Sequence, residues 1–240
     1  MTEKSAPNSA QIMGMFDHLA PRYDLFNRLM GMGLADGWRK KALLPLRPGM
    51  RVLDLGCGTG DLAILSAKIL KGDGEVAAID FSEKMLESAQ KRLEKTRVSG
   101  ETLAPVHFIL KKAEDLPMQE NYYDLAVSGF VLRNIYENID RILDGVRRSL
   151  KVGGRISFLD LTEPSNPCIR ALWRLYMNTV VAVYGKALFG GKYPILYLTE
   201  SANRFSKPDD FKQRLKAAGF KEIRAQSMML GIIVLYQAVK

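Results

Sequence analysis

The run Asp54-Leu55-Gly56-Cys57-Gly58-Thr59-Gly60 constrains this chain more than any other stretch. It follows a short apolar segment, Arg51–Leu55, and opens a helical pattern, Asp61–Leu70. Glycines at such a strand-to-helix turn carry no Cβ, so a ligand can come close to the backbone. A dinucleotide fingerprint, G-x-G-x-x-G, would place its third glycine one position later, where this chain has Asp61. With the acidic Asp54 just before the loop, a pyrophosphate is poorly served and a cationic ligand is served better. Asp80 closes the next strand, 20 residues past Gly60. A carboxylate there accepts hydrogen bonds from both ribose hydroxyls of an adenosyl ligand, as in dinucleotide sites.

Around this turn the chain alternates. Arg51–Leu55, Glu75–Asp80, Val106–Leu110, Asp124–Ser128 and Arg155–Leu161 read as strands, the last after a Gly153-Gly154 turn. Helices are expected at Asp61–Leu70, Ser82–Arg97 (capped by Ser82), Asn138–Leu150 and Asp209–Ala218, the last stopped by Gly219. Lys221–Ser227 and Gly231–Val239 close the chain as strands with no helix between them, so the final strand should run antiparallel. The pattern implies a mainly parallel sheet covered on both faces. Upstream, residues 12–30 read as two short helices broken at Pro21, and 36–45 as a third. One domain is expected, divided into a helical cap (12–48), a cofactor-binding core (49–161), a substrate-side insertion (162–205) and a closing helix with strands (206–240).

The insertion interrupts the alternation. It carries Trp173, Leu175, Tyr176, Val180, Val181, Val183, Tyr184, Leu188 and Phe189, with Arg170, Arg174, Lys186 and Lys192. From Pro164 to Thr199 there is no acidic residue, a local charge of +4. Insertions after late strands of an open α/β sheet lie over the carboxyl ends, where ligands bind. An apolar, basic insertion suits a greasy substrate or an anionic membrane surface; a helix pair packing on the core is the plainer reading. The whole chain, at +9 from 35 basic and 26 acidic residues, invites an anionic partner. Yet its densest basic group, Lys91, Arg92, Lys95 and Arg97, reads as a solvated helix end, and no aromatic-interleaved basic patch or RNA module is present. Cys57 and Cys168 have no metal-ligand or disulfide spacing, which fits a reducing cytoplasm. No stretch reaches the roughly 20 apolar residues of a membrane span. A cytoplasmic protein is expected, with attachment to a membrane surface left open.

The D-x-G-x-G-x-G arrangement resembles the first motif of class I methyltransferases, whose Rossmann-like seven-stranded α/β sheet ends on an antiparallel strand. Two further stretches narrow the family. Phe16-Asp17-His18-Leu19-Ala20-Pro21-Arg22-Tyr23-Asp24-Leu25-Phe26-Asn27 and Phe130-Val131-Leu132-Arg133-Asn134 resemble signatures of the ubiquinone/menaquinone biosynthesis C-methyltransferases. Weaker echoes lie in Tyr197–Ser201 and Gly231–Leu235. The resemblance implies S-adenosylmethionine bound by Asp54, Gly56, Gly58, Thr59, Gly60, Asp80, Phe81, Lys112, Ala113, Ser128 and Gly129. It further implies methylation of a ring carbon on a polyprenylated quinol. Four positions depart from the family: Val131 replaces a glycine, Gly129 a serine, Ile195 a tyrosine, and Lys112 an Asp or Asn. Lysine has donors but no acceptor, so an adenine contact at Lys112 must come from backbone or be absent. Val131 and Ile195 fall where the acceptor is expected.

An aromatic carbon becomes nucleophilic when a neighbouring hydroxyl ionises, and free phenols do so only at about pH 10. The site must lower that value or supply a base. Arg133 is the expected group, stabilising a phenolate or orienting a water. Tyr23, Asn27 and Tyr197 are expected beside the acceptor. His107 reads as structural and His18 as a candidate proton carrier. Other readings are a methyltransferase for another lipophilic phenol, a nucleic-acid methyltransferase, and a cofactor-binding protein without catalysis. Dimerisation is left open.

Overall fold

The computed structural model describes residues 14, 17, 31, 33–189 and 208–240. Helix α1 (Ala35–Ala42) precedes the alternating core: β1 (Arg51–Leu55), α2 (Asp61–Leu70), β2 (Glu75–Asp80), α3 (Glu83–Val98), β3 (Val106–Leu110), β4 (Tyr123–Gly129), α4 (Ile139–Ser149) and β5 (Leu150–Leu161). Then come α5 (Pro167–Tyr176), α6 (Ala182–Phe189), α7 (Pro208–Ala217), β6 (Lys221–Met228) and β7 (Ile233–Val239). Seven strands form one sheet in the order β3-β2-β1-β4-β5-β7-β6. β7 pairs antiparallel with both β5 and β6, as expected of the final strand. The order reverses between β1 and β4, and an open α/β sheet binds its ligands outside the carboxyl ends at such a switch point.

Strand alternation assigns each residue to a face. Leu53 and Leu55 join a core with α4 and α7, including Ile142, Leu143, Phe211 and Tyr236. Val52 points the other way, onto Leu62, Ala63 and Ala67 of α2. Asp54 shares the parity of Val52, and Asp80 that of Val76 and Ala78. Both carboxylates therefore lie at the carboxyl edge on the α2 face, where Asp54 is 1% exposed and Asp80 6%. The cap read at Ser82 is present, its Oγ accepting from the Met85 amide at 3.2 Å.

Two elements differ from expectation. β5 starts at Leu150 rather than Arg155, because Gly153-Gly154 forms a bulge within the strand: Tyr123 faces Leu150, and Leu125 faces Arg155. The segment after β5 is one helical run rather than a helix pair, with a π turn at Met177–Val181 joining α5 to α6. Its buried row is Trp173, Met177, Val181, Gly185 and Phe189, a strict four-residue spacing. That spacing drifts around a 3.6-residue helix, and the wider π turn corrects the drift so that the row keeps facing inward. Asn166 caps the run, accepting from the amides of Cys168 and Ile169, with Pro167 in the first turn. Most of the expected helices at 12–30, and the end of the insertion from 190 to 207, lie outside the described residues.

Candidate active site

At the end of β1 the chain turns through Gly56, Gly58 and Gly60, all at positive φ (65°, 54° and 84°). The three glycines do different things. A Cβ on Gly56 would fall 2.6 Å from one Val131 methyl and 2.7 Å from the other, so Val131 occupies the space above it. A Cβ on Gly60 would press on Ala89, Ile64 and Phe108, so this residue lets α2 and α3 close on the loop. Only Gly58 has open space at its missing Cβ, with nothing within 4 Å. The Gly58 amide donates to Asp80 Oδ2 at 2.8 Å, which ties the loop to the neighbouring strand end.

Asp80 also accepts from the Ser82 amide through Oδ1 at 2.9 Å. Both oxygens thus have backbone donors. Burial raises the Asp80 pKa; the Ser82, Gly58 and Phe81 amides oppose the rise, and Asp17 adds to it. Asp17 lies close because it accepts a hydrogen bond from Ser82 Oγ. Asp54 is more extreme. Neither of its oxygens has a hydrogen-bond partner among the described residues. Desolvation, aided by the charge of Asp80, pushes its pKa up to about 8, and the nearby Ala63 amide eases this without completing a hydrogen bond. A buried carboxylate lacking a donor, beside an uncovered glycine backbone, is a place for a cation.

Other expected contacts are arranged less directly. Thr59 is buried, and its hydroxyl and carbonyl both accept from Arg92 Nη1 (3.0 and 2.9 Å). Ser128 is fully buried, and its Oγ donates to the Leu55 carbonyl at 2.8 Å, which fastens β4 to the end of β1. Gly129 packs on Leu62. Lys112 is exposed, and with Ala113 it leads into a short 3-10 turn after β3. Asp61, the first residue of α2, was missed as a site residue. It pairs with Arg92 at 2.7 Å and Arg39 at 2.5 Å, linking the glycine loop to α1 and α3.

Arg133 lies in a 3-10 turn, Leu132–Asn134, entered through Phe130 at φ +64°. This left-handed backbone is strained for an aromatic residue, and the Phe130 amide is held by the Leu159 carbonyl at 2.7 Å. The Arg133 side chain is 3% exposed and pairs with Asp160 at 2.6 Å. Sequence reasoning missed Asp160. The signal was present, because Ile156, Phe158 and Asp160 share one parity and the first two are core. Arg133 borders a cavity of about 370 Å³, within the range of small-molecule sites. The cavity is lined by Trp38, Phe130, Leu161, Trp173, Met177 and Ile233 among other apolar residues, with Arg39 and Arg133 the charged side chains among the described residues. Phe130 and Arg133 face it, while Val131 between them faces Gly56, so the cavity and the glycine loop adjoin through that residue. Tyr23, Asn27, Tyr197 and His18 lie outside the described residues. No group of three or more metal-ligating side chains occurs among the described residues.

This sheet order, with two acidic strand ends around a glycine turn, defines a class I methyltransferase fold. The family model of the ubiE/COQ5 methyltransferases matches residues 4–240, and the chain belongs to that family. A demethylmenaquinone methyltransferase of Lactiplantibacillus plantarum is 34% identical over 223 residues, covering 92% of each chain. A ubiquinone/menaquinone biosynthesis C-methyltransferase of Shewanella pealeana is 29% identical, covering 100% of this chain and 94% of its own. Among solved structures, the [4+2]-cyclase SpnF matches with a TM-score of 0.69 at 19% identity, covering 98% of this chain and 97% of that one. A SAM-dependent methyltransferase of Thermotoga maritima matches at 0.64 and 19%, covering 95% and 99%. At these identities the structures speak for the fold alone. The protein is an S-adenosylmethionine-dependent methyltransferase.

The raised pKa of Asp54 gives a test. Unfolded, this carboxyl titrates near its ordinary value of 3.8; folded, it does so at about 8. Between those values the native state holds the extra proton, so stability falls as pH rises. Asp54→Asn should therefore raise the melting temperature of the ligand-free protein at pH 8 and leave it nearly unchanged at pH 4. A cation bound beside the carboxylate should expel the proton. Calorimetry at pH 7 in buffers of different ionisation heat should then show proton release on S-adenosylmethionine binding in the wild type and none in Asp54→Asn.

Proposed function

We propose that this chain transfers a methyl group from S-adenosylmethionine to a ring carbon of a polyprenylated quinol, of the demethylmenaquinol or 2-polyprenyl-benzoquinol type. The observation that carries this reading is the apolar cavity beside Arg133. Its two arginines are both paired, Arg133 with Asp160, and Arg39 with Asp36 and Asp61. The cavity thus offers fixed donors inside an apolar wall without a large excess of charge. That suits a neutral, lipophilic acceptor and argues against a nucleic acid, whose recognition rests on unpaired basic charge. The names of the relatives, demethylmenaquinone methyltransferase and quinone-biosynthesis C-methyltransferase, agree with the cavity.

In this reading Asp54, Gly58 and Asp80 hold the donor, with Gly56 and Gly60 shaping the loop. When bound, S-adenosylmethionine supplies an electrophilic methyl on a sulfonium sulfur, which leaves as a neutral thioether. The protein's task is to raise the nucleophilicity of the ring. Arg133, fixed and desolvated, stabilises the acceptor oxygen as it loses its proton, and the aromatic walls exclude water that would compete for that oxygen.

The outer face of the α5–α6 run supports attachment to a lipid surface. Leu172, Leu175, Val183 and Tyr184 are exposed along it, and Leu230 lies near the same cavity. The basic charge there is smaller than sequence suggests: Glu163, just before the segment, pairs with Arg174 at 2.5 Å and lies 3.7 Å from Arg170. Attachment is therefore mainly apolar. No helix of the described residues is long and apolar enough to cross a membrane.

Two outcomes are expected. Arg133→Ala should lower turnover of a short-chain prenylated naphthoquinol about 10²–10³-fold with donor affinity nearly intact, and Arg133→Lys should recover part of the rate. Wild-type turnover in the Ala variant would remove Arg133 from the chemistry. In vesicle co-sedimentation, Leu172→Gln with Val183→Gln should release the protein from anionic and neutral vesicles alike. Raising salt to 0.5 M should weaken wild-type binding only modestly, since the exposed face is mainly apolar and Glu163 offsets part of its basic charge.

A further inference from the structure

Arg133 is held in an unusual way. One carboxylate, Asp160, grips it at both ends. Oδ1 accepts from Nη1 at 2.6 Å, and Oδ2 accepts from the Arg133 backbone amide at 3.1 Å. Oδ1 also accepts from the Leu161 amide at 2.7 Å, which fixes the carboxylate to its own strand. The arginine's long side chain is thereby closed into a ring and keeps little rotamer freedom. Asp160 is fully buried, so water cannot replace it. It is the penultimate residue of β5, Arg133 follows β4, and these strands are neighbours at the sheet edge that borders the cavity.

We infer that Asp160 is a positioning residue for the methyl transfer: it aims the Arg133 guanidinium at the acceptor oxygen and, by offsetting its charge, sets the pH at which the bound acceptor ionises. The inference rests on the reading of the cavity as the acceptor site. A lone buried guanidinium would pull a proton off a phenol strongly but would have no fixed direction. A paired one gives up part of that pull in exchange for geometry, and in such sites small misplacements of a catalytic group lower rates severely.

The other ionisable groups around the acceptor leave this role to the pair. Arg39 of α1 faces the cavity with its charge met by Asp36 and Asp61. Tyr176 of α5 also faces it, and burial followed by the proximity of Tyr184 raises its pKa, so it stays neutral. Tyr236 of β7 lies near Asp160, and burial first, then that carboxylate, pushes its own ionisation beyond any working pH. Among the described cavity-lining residues none other titrates.

The test is the pH dependence of kcat for Asp160→Asn, with a short-chain prenylated naphthoquinol and saturating S-adenosylmethionine. The profile of kcat reports ionisations in the bound complex. Neutralising the carboxylate removes an opposing charge 2.6 Å from the guanidinium, so the apparent pKa for acceptor ionisation should fall by roughly one unit or more. The plateau rate should fall about tenfold or more, because the guanidinium is no longer aimed. Donor affinity, measured by calorimetry, should stay within about twofold. An unmoved apparent pKa with a wild-type plateau would overturn the inference and leave the pair structural. Asp160→Glu covers the case in which the Asn variant does not fold. It keeps the charge but shifts the guanidinium, so the plateau should fall while the apparent pKa stays put; a wild-type plateau there would also overturn the inference. Failure of the wild-type enzyme to methylate any prenylated quinol, or full turnover by Arg133→Ala, would instead remove the acceptor-site reading and this inference with it.

Discussion

The desolvated carboxylate of Asp54 is the constraint around which the donor side of this protein is organised. Strand alternation places it on the α2 face, and the closing of α2 over that face removes its water. A carboxylate with no donor is costly to keep charged, and desolvation pushes its pKa up to about 8. Asp80, one strand over on the same face, reinforces that cost and in turn takes backbone donors from both the glycine loop and the start of α3. Loop, strand end and helix start are thus tied together by Asp80, while Asp54 beside them keeps both oxygens without a partner among the described residues.

Around the cavity the logic is opposite. There the charges are matched, Arg133 with Asp160 and Arg39 with Asp36 and Asp61, and the rest of the described wall is mostly apolar. Breaking such a pair is far more damaging than never having had it, since the survivor is left as an uncompensated buried charge. Arg39 and Asp61 also connect the two halves, because Arg39 lines the cavity and Asp61 opens the helix that follows the glycine loop. The [4+2]-cyclase that shares this fold shows that the sheet alone does not dictate methyl transfer.

Much of the donor half was legible in the sequence, because it is written in local patterns. The glycine turn, the acids at two strand ends, the cap at Ser82 and the missing helix between the last strands each follow from a few adjacent residues. The acceptor half is made of long-range pairings, and those were not. Asp160 could have been suspected from its core-facing parity with Phe158, but its partner is 27 residues away. Glu163 lies outside the acid-free stretch whose charge it reduces. The packing of Ala89 and Phe108 around Gly60 is also long-range, and the Gly153-Gly154 turn became a bulge because the pairing with β4 continues past it.

The central claim is that the cavity beside Arg133 presents a lipophilic quinol ring, by a carbon atom, to the methyl donor. The most direct measurement incubates the enzyme with S-adenosylmethionine labelled at the methyl carbon and a short-chain prenylated naphthoquinol or benzoquinol. The product is then analysed by mass and by carbon magnetic resonance. The account expects one labelled methyl per quinol, at the shift of a methyl on an aromatic carbon. A label on a quinol oxygen, or a label found only on RNA or another phenol offered in the same mixture, would contradict it.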